Sequence, residues 1–127
     1  LSKGGTVSQE MVRSMAARPI IFALANPTPE ISYEEAKAAN PEVLMSTGRT
    51  DYPNQINNVL AFPGLFRGLL DTGITDISVE LLRAAAEGIA AVIPDEDVRP
   101  VYIIPGAFDT RVADAVAASV RRLASES

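Results

Sequence analysis

Amide and hydroxyl side chains cluster in two loops, each of which follows an apolar run typical of a buried strand. The first run, residues 20–25, leads into Asn26 and a proline-rich turn. The second run, residues 43–45, is followed by a polar loop that ends at Asn57 and Asn58. In open parallel sheets, ligands bind beyond the carboxyl ends of the strands. The sequence therefore predicts a binding surface that contains these three asparagines.

The chemistry that these residues offer is binding rather than proton transfer. An asparagine carboxamide provides neutral donors and acceptors that do not titrate. A helix that begins near Asn57 would also present free N–H groups to an anion. Such a surface suits a small carboxylic acid or the amide of a nicotinamide ring. Simpler interpretations stay open, since Asn26 precedes a proline as turn residues often do, and Asn57 or Asn58 can serve only as a helix cap.

Other charged residues give weaker signals. Arg49 and Asp51 lie in the same polar loop as Asn57 and are either functional or a local ion pair. Glu34 and Glu35 fit the start of a helix, and the acidic run at residues 95–97 is typical of a solvated loop, because three neighbours rarely converge on one ion. No metal-binding residue is predicted in this chain.

Composition excludes several classes of chemistry. The chain has 127 residues, a net charge of −5, and neither Cys nor His. Within it, a zinc site built on thiolate or imidazole, a Ser-His or Cys-His nucleophile and a disulfide are therefore all excluded. The acidic balance disfavours nucleic acid and anionic membranes as partners, and no apolar run approaches the ~20 residues that cross a bilayer. We expect a cytoplasmic location.

Helical periods alternate with the two apolar runs, which predicts an α/β fold with a parallel sheet covered by helices on both faces. Residues 20–25 are expected to be buried on both faces of that sheet. Two parallel strands make a poor sheet, and the chain begins at Leu1 with a glycine-containing loop. We therefore expect residues 1–127 to be a fragment of a longer protein.

Caps and periodicity give the helix positions. The first predicted helix is capped by Thr6, with Gln9 reaching back, and the second begins at Ser32 and Glu35. A helical period starts at Ile56, is broken at Pro63 and stops at Gly73. Ser78 is predicted to cap the next helix, whose buried residues would be Leu82, Ala85, Ile89 and Val92. An extended segment at residues 101–104 and a final helix from Asp109 complete the chain.

Three long segments resemble the malic enzymes of the short bacterial type. Residues 22–30, FALANPTPE, resemble their FALANPxPE segment, and residues 48–64, GRTDYPNQINNVLAFPG, are similar to GRSDYPNQINNVLAFPG. Residues 102–112, YIIPGAFDTRV, resemble YIIPxPFDxRV. The resemblance covers nearly the whole chain in one order. It implies the C-terminal part of a Rossmann-like NAD(P)-binding domain.

The resemblance also implies an activity. Malic enzymes oxidise L-malate with NAD or NADP and decarboxylate the product to pyruvate and CO₂, using Mg²⁺ or Mn²⁺. It places Asn26 at the malate and nicotinamide site, with Asn57 and Asn58 touching substrate and cofactor. The catalytic Tyr and Lys, the metal ligands and the glycine-rich loop of the family precede this region. No catalytic residue is therefore expected here, and the chain alone should be inactive. Its exposed apolar sheet edge would need a partner, either the remainder of the enzyme chain or another copy in a dimer.

Two alternatives remain at the level of the sequence. A malolactic enzyme shares the architecture but releases lactate, so product analysis separates it from a malic enzyme. The other alternative is a non-catalytic binding or assembly module of the same fold, which predicts that the 127-residue chain is made as such.

Overall fold

The computed structural model describes residues 2–126, which form two compact units. The first unit contains the described residues up to Ile56 together with Arg99–Ile103. The second contains Asn57–Val98 and the described residues from Ile104 onward. Each unit has its own hydrophobic core.

The first unit is built on two parallel strands. Strand β1 is Ile20–Ala23 and strand β2 is Leu44–Thr47, and their register runs from Ile20 beside Leu44 to Ala23 beside Thr47. Helix α1, Gln9–Arg13, precedes β1, and helix α2, Tyr33–Ala39, connects the strands. Apolar side chains of all four elements and of the loops beside them make its core: Val12, Ala23, Ile31, Ala36, Val43 and Met45.

The second unit is helical. A 3₁₀ turn at Asn58–Leu60 leads into α3, Phe62–Thr72, followed by α4, Val79–Ala90, a 3₁₀ turn at Asp95–Asp97, and α5, Arg111–Glu126. Helix α5 packs against both α3 and α4. The core residues come mainly from these helices: Leu60, Leu65, Leu81, Ala85, Val92, Val112, Val116 and Val120.

Several predicted boundaries are confirmed. Ser32 and Ser78 cap α2 and α4, each accepting a backbone N–H bond three residues on. Gly73 ends α3 with φ of 72°, a left-handed conformation that glycine adopts without steric cost. The period broken at Pro63 becomes two abutting helices, because proline fits only the first turn of the second one.

Other predictions are wrong. Ser8, not Thr6, caps the first helix, and the hydroxyl of Thr6 instead donates to the carbonyl of Lys3. At the start of α4, Leu81 is buried and Leu82 is 51% exposed, whereas Ala85 and Val92 are buried as predicted. Residues 81 and 82 are both leucine, so the sequence alone does not determine which of them faces the core. Packing of α4 against α5 decides it. Residues 101–104 were predicted to be extended, but they contain a turn and two bends, with an isolated β-bridge between Tyr102 and Arg99.

The first strand is also less buried than predicted. Ile20 and Phe22 are 59% and 52% exposed, whereas Ala23 is buried. The prediction that residues 20–25 are buried on both faces is therefore wrong for this chain. Among the described residues, no helix is long and apolar enough to cross a membrane.

Candidate functional site

Asn26 lies in the loop just beyond the carboxyl end of β1. Its side chain is exposed, and its peptide bond to Pro27 is cis. The carboxamide lies against Gly48, where an added Cβ would lie 3.4 Å from Oδ1 and 3.6 Å from Nδ2 of Asn26. Among the residues that the structure describes, none hydrogen-bonds this carboxamide. Its donors and its acceptor are therefore available to a ligand.

Glu30 holds the loop that carries Asn26. The backbone N–H of Ala25 donates to Glu30 Oε1 at 2.9 Å. This bond is the main reason that the pKa of Glu30 is lowered, because it favours the ionised carboxyl. Glu30 therefore acts as a charged anchor for the loop rather than as a proton donor.

The second loop, residues 48–56, begins and ends beside the carboxyl end of β2. The N–H of Ile56 donates to the carbonyl of Thr47 at 2.9 Å, and the hydroxyl of Thr47 accepts from the N–H of Arg49 at 3.1 Å. Gln55 Nε2 also donates to the carbonyl of Gly48 at 3.4 Å. The loop is thus closed on itself, and Asn57 is the next residue along the chain.

Asn57 and Asn58 begin the second unit, and both side chains are exposed. Asn57 Oδ1 accepts from the N–H of Val59 at 3.1 Å, so Asn57 caps the 3₁₀ turn. Asn57 is therefore a helix cap, and this bond occupies only the oxygen of its carboxamide. Because Asn26 belongs to the first unit, its convergence with Asn57 and Asn58 on one ligand stays a prediction.

A network of rings and charges occupies the outer side of the second loop. Arg49 forms a bidentate ion pair with Asp51, at 2.9 Å from Nε and 2.7 Å from Nη2, which supports the local ion-pair interpretation. This pair lowers the pKa of Asp51 and raises that of Arg49. Tyr52 stacks on Tyr33 with ring centroids 5.3 Å apart.

The hydroxyl of Tyr52 donates to Glu34, which lowers the pKa of Glu34 and raises that of Tyr52. Glu34 was predicted only to lie at the start of a helix. The contact with Tyr52 gives it a second role, which is to hold the loop against α2.

A surface cleft of about 640 Å³ lies beside α1 in the first unit, and it is not the predicted site. Its charged lining residues are Arg13, Arg49, Glu10, Glu30 and Glu35, so no single sign of charge dominates. Asn26 does not line it. Among residues 2–126 there is also no group of three acidic, Cys or His side chains that could hold a metal ion.

Sequence reasoning missed one buried residue of the second loop, Asn54. It is 6% exposed and has a φ of 58°. Its carboxamide bonds to three backbone groups that lie in two other parts of the unit. The signal in the sequence was an asparagine after Pro53 in a loop, which indicates a turn but not burial.

Two parallel strands followed by amide-bearing loops are typical of a ligand-binding α/β domain. The family described as "Malic enzyme, NAD binding domain" matches residues 2–125. The chain therefore belongs to that family, and its fold is Rossmann-like.

Named relatives of this chain support its membership of that family. The chain is 52% identical to the bifunctional malic/malolactic enzyme of Bacillus subtilis over 99% of its own length and 30% of that protein. It is 47% identical to the NADP-dependent malic enzyme of Haemophilus influenzae, with 99% of this chain and 18% of that one covered. The crystal structure of an NAD-dependent malic enzyme from Thermotoga maritima superimposes with a TM-score of 0.85 at 41% identity, covering 94% of this chain and 30% of that chain. The chain thus spans between about a fifth and a third of the length of these relatives.

Proposed function

We propose that residues 1–127 are the C-terminal part of the NAD(P)-binding domain of an enzyme that converts L-malate to pyruvate and CO₂ while reducing NAD or NADP. The observation that carries this proposal is the exposed carboxamide of Asn26, which has no protein partner among residues 2–126 and follows a strand of a malic-enzyme NAD-binding domain.

The three asparagines would supply binding and orientation. A carboxamide nitrogen can donate to a carboxylate of malate, and its oxygen can accept from the amide of a nicotinamide ring. Asn26 offers both groups, while Asn57 offers its nitrogen because its oxygen caps the following turn. Asn58 is the exposed first residue of that turn. None of these side chains changes charge with pH, so their role is to fix the position of the reacting groups.

The hydride acceptor and the divalent ion belong to the rest of the proposed enzyme. When bound, a nicotinamide cofactor would supply the hydride acceptor, and Mg²⁺ or Mn²⁺ would supply a Lewis acid for the decarboxylation. The carboxamides of Asn26, Asn57 and Asn58 fit the nicotinamide cofactor. Residues 2–126 offer no cluster of ligands for the ion, so the expectation that its ligands lie elsewhere in a longer chain stays part of the proposal.

The proposed partners are L-malate, the remainder of the enzyme chain and a second copy in a dimer, in the cytoplasm. The exposed Ile20 and Phe22 support an association of this kind, since large apolar side chains on a sheet are normally covered.

A malolactic reaction is the second candidate, because the relative from Bacillus subtilis is named as both malic and malolactic. Product analysis of the enzyme that contains this chain decides between them. Pyruvate formed together with NAD(P)H supports the malic reaction, and lactate without net NAD(P)H supports the malolactic one.

Two replacements of Asn57 separate a ligand role from a capping role. Serine keeps a side-chain oxygen that can cap the turn, whereas alanine removes it. If Asn57 binds malate or cofactor, both Asn57→Ser and Asn57→Ala should lower kcat/KM for malate ten-fold or more in the enzyme that contains this chain, which is at least about 1.4 kcal/mol of transition-state binding.

The control is Ser78→Ala, which removes the cap of α4 in the same unit. It should cost about 1 kcal/mol of helix stability and leave kcat/KM unchanged. Wild-type kcat/KM in Asn57→Ser would reduce Asn57 to a cap and remove it from the proposed site.

A further inference from the structure

Asn54 combines burial, a left-handed backbone and a fully used side chain. It is 6% exposed, and its φ of 58° lies in a region that few residues other than glycine adopt. Asparagine is one of the residues that tolerate this conformation. A residue that is both buried and conformationally unusual is retained only where the surrounding contacts hold it.

The carboxamide of Asn54 joins three stretches of chain. Nδ2 donates to the carbonyl of Met45 in β2 at 3.1 Å and to the carbonyl of Pro100 at 2.9 Å. Oδ1 accepts from the N–H of Ile103 at 2.8 Å. Both donor hydrogens are therefore used, and the acceptor is occupied as well.

These bonds hold residues that are far apart in sequence. Pro100 and Ile103 lie 46 and 49 residues beyond Asn54. Pro100 is within the turn that the Arg99–Tyr102 bridge closes, and Ile103 directly follows that turn. The side chain thus ties the loop of residues 48–56 to β2 on one side and to this turn on the other. Removing it would break one buried and two partly buried hydrogen bonds, which costs more than the loss of three exposed bonds.

The position of the loop matters for the residues that follow it. Only Gln55 and Ile56 separate Asn54 from Asn57, and the N–H of Ile56 is itself bonded to Thr47 at the end of β2. We propose that Asn54 is a positioning residue for malate binding, because its three bonds fix the path of the loop that delivers Asn57. This inference rests on the proposed function of Asn57.

Asn54→Gly is the first test, because glycine adopts the same φ without strain and removes only the side-chain bonds. In the enzyme that contains this chain, the KM for malate should rise about ten-fold, with a smaller change in kcat. The matched control is Asn40→Gly. Asn40 also uses both ends of its carboxamide, donating to Ala17 O at 3.0 Å and accepting from Glu42 N at 3.0 Å, but it ends α2. Its replacement should leave the KM unchanged.

A double-mutant cycle with Asn57→Ala tests whether Asn54 acts through Asn57. If it does, Asn54→Gly should change kcat/KM less than about three-fold once Asn57 is alanine, because coupled residues are not additive. An independent ten-fold loss in that background would overturn the proposal, and so would an unchanged KM in the single variant. An Asn57→Ala variant with wild-type kinetics would overturn it as well.

Asn54→Asp covers the case in which the glycine variant does not fold. The carboxylate keeps the acceptor for Ile103 but loses both donors, and burial raises the pKa of such a carboxyl. The loss of kcat/KM for malate relative to wild type should become smaller as pH falls, since a protonated carboxyl can donate to one carbonyl again. A pH-independent loss would contradict the inference. Failure of the proposed function gives a different result, which is no malate turnover in the wild-type enzyme.

Discussion

Replacing Gly68 with alanine tests how closely α3 packs against α5. A Cβ added at this position would lie 2.6 Å from Cβ of Val120, 2.8 Å from its Cγ1 and 3.1 Å from its Cγ2. Val120 is fully buried, so it cannot swing aside into solvent. Carbon atoms pack best at about 3.5–4.0 Å, so the contact is too short by about 1 Å.

The expected change in the free energy of unfolding is the difference between two opposing effects. Alanine is about 1 kcal/mol more favourable than glycine inside a helix. Forcing an extra methyl into a filled core costs about 1–3 kcal/mol. Gly68→Ala should therefore be neutral to destabilising by as much as about 2 kcal/mol, although helix propensity alone predicts stabilisation.

Hydrogen exchange read by mass spectrometry on peptides from α3 and α5 measures this difference as a local opening free energy. Ala86→Gly, at an exposed position of α4 in the same unit, calibrates the propensity effect and should cost about 1 kcal/mol. Stabilisation by Gly68→Ala of the size that Ala86→Gly costs would refute the close packing of α3 on α5.

Two further predictions concern ionised side chains. Tyr52→Phe removes the hydroxyl that donates to Glu34, so the pKa of Glu34 should rise towards its ordinary value. Arg111→Gln removes the guanidinium that bonds to Asp109 at 2.7 Å and lowers the pKa of that carboxyl to about 2, so this pKa should rise as well. In the wild type, the stabilisation from Asp109 should be complete above its ordinary pKa and lost as pH falls through about 2. Carboxyl-carbon NMR titrations measure both shifts.

Each titration has a clear contrary result. An unchanged pKa of Glu34 in Tyr52→Phe would mean that the hydroxyl does not donate to it. A pKa of Asp109 that stays near 2 in Arg111→Gln would assign its depression to the backbone N–H of Arg111, which also donates to this carboxyl.

Local signals in the sequence predicted local structure well. The serines that cap α2 and α4 and the glycine that ends α3 were found because a cap depends on residues within one turn of the helix. The prediction of Thr6 as a cap is wrong, because Ser8, two residues further on, caps the helix instead. Serine and threonine both cap helices well, so the residue that caps depends on where contacts with the rest of the unit make the helix begin.

The candidate site was predicted in part. The sequence led to Asn26, Asn57 and Asn58 as exposed carboxamides in loops beside strand ends, and the structure shows all three exposed. Their ligand roles stay predictions. Asn54 was not found, because its partners Pro100 and Ile103 lie more than 40 residues away and no local pattern reports such a contact.

The sequence by itself determined the class of protein: an α/β chain whose carboxamide-bearing loops and family motifs belong to a malic-enzyme NAD-binding domain. Side-chain type, helical period and turn chemistry were enough for the α/β class, since each acts over a few residues, whereas the family followed from the resemblance of three long motifs to malic enzymes. Only the tertiary structure decided that Leu81 rather than Leu82 is buried, that β1 keeps one apolar face exposed, and that Asn54 holds the second loop. Burial and long-range hydrogen bonds depend on which segments meet after folding, and neighbours in sequence do not determine that.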